Sequence, residues 1–287
     1  MAIAYSSVLE LRENDVPFGY TDRDTMLYAL AIGLGADPMD RAELPFIYEK
    51  ELRAVPTLAA VVAWGAGVST ERLGVDYTKV LHGEEETIFH QPMPVSARLR
   101  TDSSVIGVYD KGKDKGATIV RQTVLKDEST GQPIATLIRT IVARGDGGFG
   151  GPTAAAAVPH AVPTRAPDKM VDMPIRKDQA ALYRLCGDRN PLHIDPSRAV
   201  KAGFSAPILH GLCTYGMACR AVLQSYCDYD PTRIYRHAVR FSAPVYPGET
   251  LSFALWRDDD VVSFEASIKA RNVVVLKNGK TVLGAAR

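Results

Sequence analysis

The strongest constraint on this chain is an internal echo. Leu27-Tyr28-Ala29-Leu30 is answered by Leu182-Tyr183-Arg184-Leu185, Pro56-x-Leu58 with Gly65 by Pro207-x-Leu209 with Gly216, and Phe89-x-x-Pro92 by Phe241-x-x-Pro244. The offsets are 155, 151 and 152 residues. One such match is within chance; three in nearly one register point to a duplicated unit of about 150 residues. Between the copies runs a stretch opening on Gly145-Asp-Gly-Gly-Phe-Gly-Gly151, followed by Ala154–Ala157 and punctuated by Pro152, Pro159, Pro163 and Pro167. Glycine adds backbone freedom and proline blocks regular hydrogen bonding, so this reads as a linker or a draped connection. The expected division is a first unit at 1–144, a connection at 145–170 and a second unit at 171–287. A chain of 287 residues, 46% apolar and 23% charged, is ample for two globular units.

Each unit repeats one coarse order. A short helix comes first, with apolar positions at Met26, Leu27 and Leu30, and at Ala181, Leu182 and Leu185. A longer helix follows. In the second unit Leu212, Tyr215, Cys219, Val222, Leu223 and Tyr226 keep the helical rhythm; in the first, Leu58, Val61, Val62 and Val68 sit among Ala and Gly. Such a helix is apolar nearly all round and should be buried. Then come stretches rich in Val, Ile and Thr: 86–100, 103–110, 116–126 and 133–144, and later 236–245, 249–257, 261–270 and 272–284. Asp127–Gly131 and Asp258–Asp260 read as hairpin turns. Helices before strands in each unit predict an α+β fold with antiparallel sheet. One buried helix wrapped by such a sheet is a hot-dog, and two units make a double hot-dog.

Composition excludes several classes. With 34 basic and 33 acidic side chains the net charge is +1, which argues against a nucleic-acid binder. The longest runs of apolar residues and glycine, Met26–Ala36 and Leu58–Val68, are eleven residues each, short of the ~20 needed to span a bilayer. The first residues lack a basic leader and the last four are not a Ser-Lys-Leu address. Cys186, Cys213, Cys219 and Cys227 read as reduced thiols, so a cytoplasmic enzyme is expected. No Gly-x-Gly-x-x-Gly or Walker A pattern calls for a nucleotide cofactor. His210-x-x-Cys213 has no second ligand pair at zinc-like spacing, so no metal is expected.

The densest chemistry is in Tyr183-Arg-Leu-Cys-Gly187-Asp188-Arg-Asn190-Pro191-Leu-His193-Ile-Asp195. Gly-Asp-x-Asn-Pro-x-His arises by chance about once in 10⁴ chains of this length at ~5% usage per residue. With Pro207-Ile-Leu-His210-Gly211-Leu-Cys-Thr214-Tyr-Gly216, it resembles the signature of the MaoC-like, type 2, (R)-specific enoyl-CoA hydratases, including the hydratase-2 domain of multifunctional enzyme type 2. Leu81-His82-Gly83, Tyr109-Asp110-Lys111-Gly112 and Gly147–Gly151 fit the same family, so the resemblance covers nearly the whole chain.

The residues suit that reaction. Hydrating an α,β-unsaturated thioester requires a proton to leave water, a proton to reach Cα, and stabilisation of the thioester oxygen. A neighbouring Asp and His can hold one water and move its protons. Pro191 fixes the turn between them, and Asn190 supports the loop or the water. Gly211 opens a helix, where unpaired N–H groups form an oxyanion site worth about 3 kcal/mol per donor. The resemblance implies that Asp188 and His193 are catalytic, that Gly211 N–H binds the enolate oxygen, and that Phe241 contacts ligand. It further implies that His82, Gly83 and Lys111 contact the CoA thioester, and that the first unit holds the acyl tail. The first unit lacks the motif, so one site per chain is expected. Asp195 reads as a cap, and Lys111 reads equally well as a solvated turn lysine. The expected activity is reversible hydration of trans-2-enoyl-CoA to (R)-3-hydroxyacyl-CoA, with no cofactor beyond the CoA of the substrate. A 3-hydroxyacyl-thioester dehydratase of fatty-acid synthesis and an acyl-CoA thioesterase on the same fold are the alternatives. The family implies a homodimer.

Overall fold

In the computed structural model of the protein, described over residues 3–76, 79–153 and 159–287, ten strands form one antiparallel sheet. In chain order the elements are α1 (Tyr5–Leu9), β1 (Arg12–Tyr20), α2 (Asp22–Ala31), α3 (Ala59–Val62), β2 (Val80–Phe89), β3 (Ala97–Asp110), β4 (Ala117–Asp127) and β5 (Pro133–Ala143). Then follow β6 (Lys169–Pro174), α4 (Gln179–Tyr183), α5 (Pro196–Lys201), α6 (Gly211–Tyr226), β7 (Ile234–Phe241), β8 (Thr250–Asp258), β9 (Val261–Ile268) and β10 (Val273–Leu283). The sheet order is β1-β3-β4-β5-β2-β7-β10-β9-β8-β6. Read outward from the centre, β2-β5-β4-β3-β1 and β7-β10-β9-β8-β6 are one order twice. The halves meet where β2 pairs with β7, and there Glu86 lies opposite Ala238, 152 residues away, one of the repeat offsets. The fold is a double hot-dog.

The sequence echoes mark where the two halves touch. Tyr28 of α2 and Tyr183 of α4 are both buried, their rings 6.2 Å apart. Gly216 of α6 lies under α2: a Cβ there would stand 2.6 Å from both the Tyr28 hydroxyl and Ile32 Cγ2. A side chain at 216 would push α2 off the core helix. α6 carries Leu212–Cys219 and Ala221–Leu223 fully inside, packed on β6, β7, β8 and β10 and reaching β2. The main core spans both halves, and a smaller cluster lies under α1 between Val68, Val105, Ile119 and Ile141.

Three expectations need correcting. The first half has no long buried helix over 58–68. A 3₁₀ turn at Pro56–Leu58 runs into the four-residue α3 and stops. Gly65 and Gly67 take positive φ of 89° and 146°, which ends helical geometry and leaves loop where the second half has α6. Next, 86–100 is not one strand. β2 ends at Phe89, Pro92 and Pro94 interrupt the ladder, and β3 then runs unbroken through 103–110. Finally, β1 and β6 were not foreseen.

The connection is pinned at its start. Asp110 accepts N–H bonds from Gly148 and Gly150, both at 2.7 Å, which fixes the glycine run against the turn after β3. Ala154–Ala157 lie outside the described residues. Beyond them, the His160 ring meets Ser263 Oγ at 2.8 Å and its carbonyl accepts from Asn278.

Candidate active site

The site is built from the loop between α4 and α5 and from the N-terminus of α6. Gly187 has φ 147°, and a Cβ there would stand 2.7 Å from Trp64 Cβ, so only glycine lets the loop close on the first half. Asn190 caps the 3₁₀ turn Pro191–His193 by accepting from Leu192 N–H at 3.0 Å. Asp195 caps α5 by accepting from Ser197 N–H at 2.8 Å. Both caps and Pro191 hold the segment in one conformation.

Asp188 and His193 face each other on this scaffold. Asp188 Oδ1 accepts from Asn190 N–H at 3.0 Å, which leaves Oδ2 towards His193 Nε2 at 3.9 Å. That gap exceeds a direct hydrogen bond and suits one bridging water. His193 Nδ1 donates to the Ile208 carbonyl at 2.8 Å, so Nδ1 carries the proton and Nε2 offers its lone pair. His193 is 8% exposed, and burial holds its pKa below the usual histidine value despite Ile208 and Asp188. It is a neutral base at neutral pH.

Sequence reasoning missed the part played by His210, which entered only as the residue before Gly211. Its ring stacks on His193, centroids 3.7 Å apart, and its Nε2 donates to the Asp188 backbone carbonyl at 3.0 Å. It therefore touches both members of the pair. Burial and the neighbouring His193 push its own pKa down to about 3. We expect His210→Ala to admit water beside His193, raise the His193 pKa towards its unburied value and move the acid limb of the kcat–pH profile upward. A fall of about tenfold in kcat should accompany it. An unmoved acid limb would show that His210 does not tune His193.

Gly211 is the first residue of α6, where the leading N–H groups have no partner inside the helix and the helix dipole is positive. A Cβ at Gly211 would stand 3.3 Å from the Phe241 ring. Phe241 in turn packs on His82, centroids 4.8 Å apart. These groups share one cavity of about 690 Å³, walled by both halves. Of the eight residues singled out from the sequence, Asp188, Asn190, His193, Gly211, His82 and Phe241 line it. Gly83 and Lys111 do not. Gly83 sits at the β2–β5 register shift, where a Cβ would press on Val142 at 3.0 Å. Lys111 Nζ donates to the Thr153 carbonyl at 3.3 Å in the turn after β3.

The first-half wall carries a cluster that sequence reading did not find. Glu85, fully buried, is gripped by Arg139 (Nε to Oε2, 2.8 Å) and by His82 Nε2 (2.8 Å). Burial works against the Glu85 charge, but Arg139 and His82 together more than offset it and hold the pKa low. Burial keeps His82 neutral. The visible signal was a charged residue, Arg139, inside the Ile- and Thr-rich stretch 133–143.

Among the described residues one group could hold a metal: Asp188, His193 and His210, with ligand atoms within 4.8 Å of one another. Cys213 is not part of it. Its thiol donates to the Ala31 carbonyl at 3.4 Å, inside the core. No helix among the described residues is long and apolar enough to cross a membrane.

Comparison with known proteins agrees with the fold. Residues 18–145 match the MFE-2 hydratase 2 N-terminal domain, and residues 159–278 match the MaoC like domain. The chain is 41% identical over 248 residues to enoyl-CoA hydratase ChsH3 of Mycobacterium tuberculosis, covering 85% of each. It is 36% identical over 293 residues to a probable enoyl-CoA hydratase 2 of Dictyostelium discoideum, covering 99% of this chain and 97% of that one. A MaoC-like dehydratase from Phytophthora capsici superposes with a TM-score of 0.86 at 30% identity over 98% of each chain. A repeated hot-dog with one Gly-Asp-x-Asn-Pro-x-His loop, matched end to end by such relatives, makes this chain a member of the MaoC-like hydratase 2 family, an enzyme of the hydratase/dehydratase class.

Proposed function

We propose that the protein catalyses reversible hydration of trans-2-enoyl-CoA to (R)-3-hydroxyacyl-CoA through Asp188 and His193. The observation that carries the reading is the 3.9 Å gap between His193 Nε2 and Asp188 Oδ2, beside the free N-terminus of α6. A water held between two acceptors has its lone pairs turned to the substrate. His193 Nε2 takes one proton as the water oxygen attacks Cβ, while Asp188 Oδ2 holds the other hydrogen. The π electrons move towards the thioester oxygen, where Gly211 N–H receives the charge. The imidazolium then returns its proton to Cα, and the sum is H–OH across the double bond. The same steps reversed are dehydration. The residues need no metal or redox group for this.

Relatives named as hydratase and as dehydratase support the reaction class, and their enoyl-CoA names support the substrate class. The thioesterase alternative requires attack at the thioester carbon instead, with release of CoA thiol. Incubation with crotonyl-CoA separates the two. We expect loss of the enoyl absorbance with no free thiol; thiol release at a matching rate would overturn the proposal.

A further inference from the structure

Contacts run unbroken from the oxyanion site into the first half: Gly211 to Phe241, Phe241 to His82, His82 to Glu85, Glu85 to Arg139. One strand further, Arg121 of β4 lies directly opposite Arg139 of β5 and also lines the cavity. This wall is where the family resemblance places an apolar acyl tail, yet Arg121 and Arg139 line it, with Glu85 paired to Arg139 and the exposed Glu71 and Arg144 at its edge. Glu85 is spent on Arg139 and His82, and His82 is neutral. One positive charge is left over, on Arg121.

Arg121 makes no ion pair among the described residues; its Nη1 donates to the Val68 carbonyl at 2.5 Å. Glu85 and then Glu71, exposed at the rim, act on it only through space, without an ion pair. Burial, then repulsion from Arg139, push its pKa down to about 10. Ser103 and Thr123, whose hydroxyls bond each other at 3.1 Å, line the same cavity. A plain alkyl chain laid on this wall would leave a desolvated cation and its remaining N–H donors without acceptors, which is costly. A carboxylate would meet the guanidinium fork with two parallel hydrogen bonds.

We propose that the first-half wall is a receptor for a carboxylate on the acyl group, remote from the thioester, with Arg121 as its partner. The inference takes the thioester end from the hydratase reading and adds the class of tail: a dicarboxylic or otherwise ω-carboxylated acyl-CoA.

The test is binding, not turnover, so that it stands apart from the reaction. Saturated acyl-CoAs of six to twelve carbons are compared by calorimetry with their ω-carboxylated counterparts, on the wild type and on Arg121→Met and Arg121→Lys, each checked for an unchanged unfolding midpoint. At the best-fitting length, the carboxylated ligand should bind the wild type about 10- to 100-fold more tightly than the plain one. Arg121→Met should abolish that ratio and Arg121→Lys keep part of it. No preference at any length would overturn the proposal. So would a ratio that survives Arg121→Met while both ligands weaken equally, because that result places Arg121 at the CoA end. Absence of hydratase activity alongside an Arg121-dependent preference would reject the reaction and leave the receptor standing.

Discussion

Asp188→Asn and His193→Gln should each lower kcat by at least about 100-fold while the protein stays folded. Asparagine keeps the oxygen that accepts from Asn190 N–H, so the loop conformation survives. It replaces the oxygen facing His193 with an NH₂ group, which cannot accept a hydrogen bond from the water. Glutamine at 193 still offers a donor for the Ile208 carbonyl but no basic nitrogen. Neither residue belongs to the hydrophobic core. The unfolding midpoint should therefore move little, and KM should change less than kcat. Near wild-type turnover in either variant would contradict the assignment. Because His193 must be neutral to act, wild-type activity should fall on the acid side through a pKa below the usual histidine value. Protonation of buried His193 also favours the unfolded chain. The stability it contributes is thus present above the ordinary histidine pKa and is lost as pH falls through the lowered one.

The second large effect is on stability. Glu85→Gln should destabilise the protein by about 3 kcal/mol or more, because it leaves the Arg139 charge buried against Trp64 with no anion. For a chain of this size that is a fall of roughly 5–10 °C in Tm. The double change Glu85→Leu with Arg139→Met should recover most of the loss, since replacing both partners removes the desolvated charges together. Glu85 is fully buried and Arg139 mostly so, and the single-variant penalty should therefore change little with salt. Urea unfolding of the three proteins, compared at constant m-value, checks this. A Glu85→Gln midpoint within about 1 kcal/mol of wild type would show that water reaches Arg139.

What the sequence revealed and what it hid follow from locality. The second-half strands stand within a few residues of their expected limits, because each Val/Ile/Thr run is bounded by turn formers such as Asp258–Asp260. The two strands that escaped notice, β1 and β6, are the two edges of the sheet. Their sequences, RENDVPFGY and KMVDMP, carry charge and proline instead of apolar alternation. That protects an edge from pairing with another chain and erases the pattern by which strands are recognised. The helix expected over 58–68 failed for the opposite reason. Its Ala and Gly content looked like close packing, but Gly65 and Gly67 use their freedom to leave the helix.

The acid/base pair was legible because Asp188 and His193 are five residues apart on one capped turn. The Glu85–Arg139 pair was not, since 54 residues separate its members and only the β2–β5 register joins them. Glu84-Glu85-Glu86 reads as a solvated run. The ladder turns the middle residue inward, where it is 0% exposed. His210 was similarly hidden: its stack on His193 depends on how α6 meets the loop, 17 residues on.

One water, held between Asp188 and His193, is proposed to reach Cβ only from the face that gives the (R)-alcohol. Chiral analysis of the 3-hydroxyacyl-CoA formed from crotonyl-CoA and longer trans-2-enoyl-CoAs tests it directly. The (R)-product alone is expected; an (S)-product, a racemic one or no hydration at any chain length would contradict this mechanism.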